Sequence, residues 1–123
     1  MKGIGTDIVQ IARIKQVYDR QGMRFVRRLL TQEEQKCFEA RGQSITYLAN
    51  RFAAKEAISK ALGTGIAKGI RFTDMEVLAN LDGAPSVTLS GKAEEHLVAL
   101  GGHQIMVSLS DEKEYAVAFA VVL

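Results

Sequence analysis

The sequence predicts an α+β fold: a single domain in which helices, one of them long, collect on an antiparallel sheet. Three observations predict it. Residues 2–9 and 105–123 carry strand patterns at the two ends of the chain. Between 10 and 62 the apolar residues recur at helical spacing, and after Gly63-Thr64-Gly65 the pattern turns to β. A chain of 123 residues is long enough for one hydrophobic core and too short for two.

The elements follow in order. KGIGTDIV at 2–9 reads as a short strand, with Ile4, Thr6 and Ile8 on one side and Gly3, Gly5, Asp7 and Val9 on the other. A helix is expected over 10–21 and a short basic one over 24–30. Thr31 and Glu34 have capping-box spacing and start a further helix. The long helix runs over 44–62, with Gly63 as the residue that ends it. Strands are expected at 69–80 and 86–90 around a turn at 82–85, then a helix at 91–100 stopped by Gly101-Gly102.

The last segment is a hairpin. Ile105, Val107 and Leu109 alternate in one strand, 111–114 form the turn, and 115–123 return. The return strand is apolar on both sides: Tyr115, Val117, Phe119 and Val121 on one, Ala116, Ala118, Ala120 and Val122 on the other. An antiparallel strand open to water on one side alternates with polar residues. This one therefore predicts helix cover on one face and a subunit interface on the other, or a central place in the core.

Two features carry chemistry. In the long helix Ile45, Leu48, Ala49 and Phe52 share a face, and the next residues along it are Glu56, Ser59 and Lys60. Such a stripe is normally apolar, because a buried charge needs compensation. Glu56 and Lys60, four residues apart, can compensate each other; a metal ion or a phosphate is the alternative. The second feature is Asp7. Asp is disfavoured in strands, and this one follows glycines that let another backbone or a ligand come close. Alone it reads as a strand-end turn residue or a helix cap. With Glu56 it supplies two hard carboxylates from separate elements, the ligand set of a Mg²⁺ ion shared with substrate phosphates.

Composition narrows the class. An apolar content of 47% and 24% charged residues are ordinary for a soluble globular protein. No apolar run reaches the length of a membrane span, and MKGIGTDIV has no secretory core. The one cysteine, Cys37, allows no internal disulfide and fits the cytoplasm. His96 and His103 have no Cys or His at ligand spacing, which argues against zinc. The net charge of +2 hides an asymmetry: residues 1–71 hold fourteen Lys/Arg and six Asp/Glu (+8), residues 72–123 two and eight (−6). The basic excess gathers at Arg13, Lys15, Arg20, Arg24, Arg27 and Arg28, either a solvated face or a dock for an acidic partner. Nucleic acid is disfavoured, since only Tyr18 and Phe25 are aromatic in that segment and the second half is acidic. A small basic binding module without catalysis is the rival reading, and it leaves Asp7 and Glu56 unexplained. No Walker or dinucleotide fingerprint is present.

GIGTDIVQIARI near the start, FAAKEAISKALGTGI in the middle and VSLSDEKEYAVA near the end together resemble the holo-acyl-carrier-protein synthases, which are small phosphopantetheinyl transferases. The resemblance runs in order over essentially the whole chain. Its specific part is a G-I-G-x-D strand followed by F-x-x-K-E-x-x-x-K. It implies the 4′-phosphopantetheinyl transferase-like fold and a reaction serving fatty acid biosynthesis. The phosphopantetheine arm of coenzyme A is moved to a serine of an apo-acyl-carrier protein, adenosine 3′,5′-bisphosphate leaves, and Mg²⁺ is required.

The resemblance also implies roles. Asp7 and Glu56 would hold Mg²⁺, and Lys60, one turn on, would reach the pyrophosphate. Arg51 and Lys55 on the helix flank would serve other parts of the coenzyme. The amides of Gly63, Thr64 and Gly65 would cradle a phosphate as a nest, with Lys68 and Arg71 close by. A homotrimer is implied, with each site between chains, so that Pro85 or Ser108 of a neighbouring chain meets Asp7, Glu56 and Lys60. Arg13, Arg20, Arg24, Arg27 and Arg28 would dock the acidic carrier. Candidates for the general base are Glu56, neutral Lys60 and a water on the metal. One departure stands out: Asp111 occupies a position where many family members have histidine, so that histidine's role does not carry over.

Overall fold

The two ends of the chain pair with each other and build the frame. The computed structural model describes residues 1–123. Strand β1 (Gly3–Gln10) pairs antiparallel with β5 (Tyr115–Val122), placing Asp7 opposite Ala118. On its other edge β5 pairs antiparallel with β4 (Ile105–Asp111), so β5 is the central strand of three. Strands β2 (Met75–Ala79) and β3 (Pro85–Leu89) form a separate two-stranded sheet. The antiparallel sheet expected from sequence is thus two sheets. The expected strand at 69–80 begins only at Met75, because a 3₁₀ turn at Phe72–Asp74 precedes it. The Asp74 carboxylate fixes that turn by accepting from the Arg71 amide at 3.1 Å. Asp111 lies in β4 rather than in the turn.

Helices α1 (Ile11–Gln21), α2 (Met23–Leu29), α3 (Gln32–Ala40) and α4 (Ile45–Ala61) follow β1, and α5 (Gly91–Ala99) precedes β4. Their boundaries have chemical causes. Thr31 and Glu34 form both halves of a capping box at the start of α3. The Ser44 hydroxyl accepts from the Tyr47 amide at 3.2 Å and starts α4. Gly63, at φ +82°, ends it in a conformation that a side chain would strain.

Helix α4 crosses the inner face of the three-stranded sheet. Ala116, Ala118, Ala120 and Val122 on that face are fully buried, and short alanines let the helix sit close. Gly3 and Gly5 of β1 serve the same end: a Cβ on Gly5 would strike the carbonyl of Ala57 and approach the amide nitrogen of Ala61 to 2.7 Å. The backbone that the β1 glycines admit is therefore α4. The helix is buried on nearly every side, including Tyr47, Leu48, Ala49, Ala53, Ala54, Ala57 and Ile58. This corrects the amphipathic reading. Phe52, Glu56 and Lys60 do not interrupt the buried stripe; they mark the helix's most open line.

The outer face of the same sheet has no cover in one chain. Ile4, Ile8, Met106, Val117 and Phe119 are exposed there. The two-sided apolar return strand is explained on its inner side by α4. No helix is long and apolar enough to cross a membrane.

Candidate functional site

Asp7 and Glu56 are brought together by the packing of β1 on α4. Strand alternation turns Asp7 to the side of Gly5 and Val9, towards the helix, with 16% of its side chain exposed. Lys60 Nζ donates to Asp7 Oδ1 at 3.1 Å and to the Thr6 carbonyl at 3.0 Å. Lys60 itself is half-exposed, so its charge faces solvent beside the pair. The Glu56 carboxyl is pushed above its usual range, first by burial and second by the negative charge of Asp7, while Lys60 pulls it back. Glu56 is therefore paired less by Lys60 than the i, i+4 spacing suggests, because Lys60 reaches across to β1.

Both carboxylates line one open cleft of about 530 Å³. Its far wall is basic. Arg13 and Arg20 reach it from α1 and Arg28 from α2, over a floor that includes Ile14, Phe25 and Phe52. Three of the arginines singled out in the sequence thus share a cleft with the two acids. Arg24 is exposed on α2 and does not line the cleft. Arg27 and Arg28 border a second cavity of about 430 Å³ with Arg71, Ile66, Ile70 and Phe72.

A third recess, of about 230 Å³, lies elsewhere on α4 and holds Arg41, Asn50, Arg51, Pro85 and Leu109. The guanidinium of Arg51 is nearly buried at 7% exposure, and its Nε has no hydrogen-bond partner. It stacks on the Tyr47 ring at 4.5 Å, with Arg41 at 5.3 Å from the same ring. Burial above all raises the Tyr47 hydroxyl to about 12, so it stays neutral. Asn50 donates to Asp111 Oδ2 at 3.1 Å, and its buried Oδ1 is unpartnered. Two positive groups without a carboxylate, in a recess with spare hydrogen-bonding atoms, suit an anion. Arg51 and Glu56 are five residues apart, about 140° around the helix, so this recess does not open onto the carboxylate cleft.

Other expected positions are placed differently. Lys55 is wholly buried, with its ammonium 2.6 Å from Glu34 Oε1 and 2.6 Å from the Leu29 carbonyl. It is committed inside the fold and cannot serve the coenzyme, a correction that follows from α4 being buried on that side as well. The nest at Gly63, Thr64 and Gly65 is also corrected. The Gly63 amide donates to Lys60 O at 3.0 Å, and those of Thr64 and Gly65 both donate to Ser59 O at 3.1 Å. They close the helix end and are not free for a phosphate. Ser108 is exposed on the outer face of the sheet, opposite Phe119, away from Asp7 in its own chain. Pro85 lies with Arg51.

The sequence reading missed Arg41, Tyr47 and Asn50. One signal was available: Tyr47 and Arg51 are four residues apart and so stack on one helix face. Arg41 lies just after α3 and reaches the recess only through the tertiary fold.

Comparison with known proteins gives one consistent pattern. The sequence pattern of the 4′-phosphopantetheinyl transferase superfamily matches residues 3–120. The holo-[acyl-carrier-protein] synthase of Shewanella amazonensis is 50% identical over 119 residues, 97% of this chain and 95% of its own. That of Halorhodospira halophila is 48% identical over 121 residues, 98% of this chain and 96% of its own. Among solved structures, the holo-[acyl-carrier-protein] synthase of Neisseria meningitidis superposes with a TM-score of 0.92 at 37% identity, covering 100% of this chain and 98% of that one. The Helicobacter pylori enzyme, solved in complex with coenzyme A, gives 0.86 at 35% identity, covering 98% of this chain and 99% of that one.

Proposed function

The chain belongs to the 4′-phosphopantetheinyl transferase superfamily, among its holo-[acyl-carrier-protein] synthases, and on that premise we propose how its own residues carry out the transfer. The reaction moves 4′-phosphopantetheine from coenzyme A to a serine of apo-acyl-carrier protein, with Mg²⁺, in the cytoplasm, and serves fatty acid biosynthesis. The serine oxygen bonds to the phosphorus that bears pantetheine. The bond from that phosphorus to the adenosine-side phosphate breaks, and adenosine 3′,5′-bisphosphate leaves with the electron pair. The observation that carries this reading is that Asp7 and Glu56, from separate elements, line one cleft whose opposite wall is arginine.

The two carboxylates fit Mg²⁺. They are hard oxygen donors at close quarters, and the charge of Asp7 already raises the proton affinity of Glu56, the mark of a missing cation. No group of three or more His, Cys, Asp and Glu forms here, and Mg²⁺ needs only one or two carboxylates when phosphates and waters complete its shell. When bound, the ion neutralises charge on the pyrophosphate.

Lys60 holds Asp7 in place and keeps an exposed ammonium beside it, ready to meet the leaving phosphate. Glu56, with its raised proton affinity, is the protein group best suited to accept the serine proton. Arg13, Arg20 and Arg28 on the cleft wall, with Arg24 and Arg27 beside them, bring in the acidic carrier. Arg51, with Pro85 in the same recess, takes a phosphate of the coenzyme.

Because that recess faces away from Glu56, one chain cannot use both on one coenzyme molecule. A homotrimer supports both: its chains would meet through the uncovered apolar sheet face and join one chain's recess to the next chain's cleft. Mixing the protein with coenzyme A, Mg²⁺ and an apo carrier tests the reading. The carrier is expected to gain one phosphopantetheine mass; no gain with any divalent metal would overturn it.

A further inference from the structure

The ammonium of Lys55 is fully buried, and no step of the proposed transfer uses it. It donates to the main-chain carbonyl of Leu29 at 2.6 Å and to Glu34 Oε1 at 2.6 Å. Leu29 is the last residue of α2 and follows directly on Arg28. Lys55 is followed directly by Glu56. A single hydrogen bond therefore joins the residue after a docking arginine to the residue before a cleft carboxylate.

Helix α2 needs such an anchor. It has seven residues, too few to be stable alone, and carbonyls in its last turn lack partners within the helix. A cation at that end satisfies one of them and suits the helix dipole. The ammonium is itself held in register by Glu34, whose carboxylate also accepts from the Thr31 amide at 2.8 Å and the Val77 amide at 2.8 Å. The anchor thus ties α2, α3, α4 and β2 at one point. An apolar side chain of similar length would fill the space without the desolvation that a buried ammonium suffers. What lysine supplies there is a fixed geometry.

We propose that Lys55 is a positioning residue for carrier docking: it sets α2 against α4 so that Arg28 and its neighbours deliver the carrier to the Asp7–Glu56 cleft. The inference rests on the transferase reading above. Its test is steady-state kinetics of Lys55→Met with coenzyme A and apo carrier varied separately. The KM for the carrier is expected to rise about tenfold, the scale of one lost charge-assisted hydrogen bond, with the KM for coenzyme A nearly unchanged. Ile58→Val loosens α4 and spares the Leu29–Lys55 bond, so it should leave the carrier KM as in the wild type. If Lys55→Met does not fold, Glu34→Gln/Lys55→Met removes both charges and asks the same question. A folded variant in which neither KM changes, or both rise together, overturns the inference while the transferase reading stands. A wild-type protein that leaves the carrier unmodified overturns both.

Discussion

Lys60 on α4 and Asp7 on β1 are joined at 3.1 Å, and the same ammonium takes the Thr6 carbonyl at 3.0 Å. The pair is half open to water on the lysine side, so it adds little stability, about 0.2–1 kcal/mol for exposed pairs in general. Its value lies in aiming Asp7. Lys60→Met is expected to keep the helical content and melting temperature nearly unchanged while lowering kcat by roughly 10²–10³, the scale seen when a charge-stabilising donor is removed. Circular dichroism and a transfer assay on the same preparation check it; unchanged turnover would take Lys60 out of the site.

Gly5 is where β1 touches α4. A Cβ there would strike the Ala57 carbonyl and come within 3.0 Å of Lys60 Cβ. Both obstacles sit on the helix that carries Glu56, so relief must come from moving it. Gly5→Ala should destabilise the protein by about 1–3 kcal/mol, as overpacking does. It should also lose activity beyond what the stability loss explains, because Asp7 and Glu56 separate. Denaturant midpoints together with kcat at low temperature distinguish the two effects.

The order of the elements was legible in the chain because turns and caps are local. Thr31 with Glu34, Ser44 and Gly63 each sit where the structure puts a helix boundary. The meeting of Asp7 and Glu56 was legible for a different reason, since a carboxylate beside strand glycines and another on an apolar helix both lack a local partner. Lys55 was misread because its partners, Leu29 and Glu34, are 26 and 21 residues away. A buried ion pair at that distance leaves no periodic trace. The Gly63-Thr64-Gly65 amides were misread because a helix end and an anion nest share one sequence pattern, and only the bonds to Lys60 and Ser59 separate them.

Glu56 gives the metal-free protein a pH dependence of known sign. Its folded-state proton affinity is raised above the ordinary value of 4.5, so the folded chain binds the proton more tightly than the unfolded one. Stability from this group is fully present at pH below 4.5 and is lost as pH rises through the higher folded value. In chelator-treated protein, Glu56→Gln should flatten that part of the curve of melting temperature against pH. At neutral pH, Mg²⁺ should raise the melting temperature of the wild type and not of the variant. Equal slopes in the two proteins would mean that Glu56 does not feel the cleft as described.

Arg51 is a buried cation with no carboxylate within reach and an unpartnered Nε. Such a group destabilises the free protein and is useful only when an anion arrives. Arg51→Met should therefore melt at the same temperature or higher, yet bind coenzyme A at least about tenfold more weakly, the effect of losing a charge-assisted contact. Calorimetric titration beside a thermal melt separates the two. A large fall in melting temperature with unchanged binding would make the arginine a structural stacking partner of Tyr47.

The separation of Arg51 from Glu56 around α4 makes a further outcome testable without any structure of the assembly. If chains share sites, an Asp7→Ala chain still offers a working Arg51 recess, and an Arg51→Met chain still offers a working Asp7. Each variant alone should be inactive or nearly so. Mixed oligomers, made by co-expression, should regain activity because some sites draw each half from an intact source. The exposed apolar face supplies the second arm: Ile8 is 62% and Phe119 42% exposed in one chain. A charge placed there does little to a monomer but opposes burial in an interface. Phe119→Glu should sediment as a monomer, keep its fold and lose transfer, and adding it to the mixture should give no recovery. Recovery of activity by monomers, or none in mixed oligomers that demonstrably form, would return the whole site to a single chain.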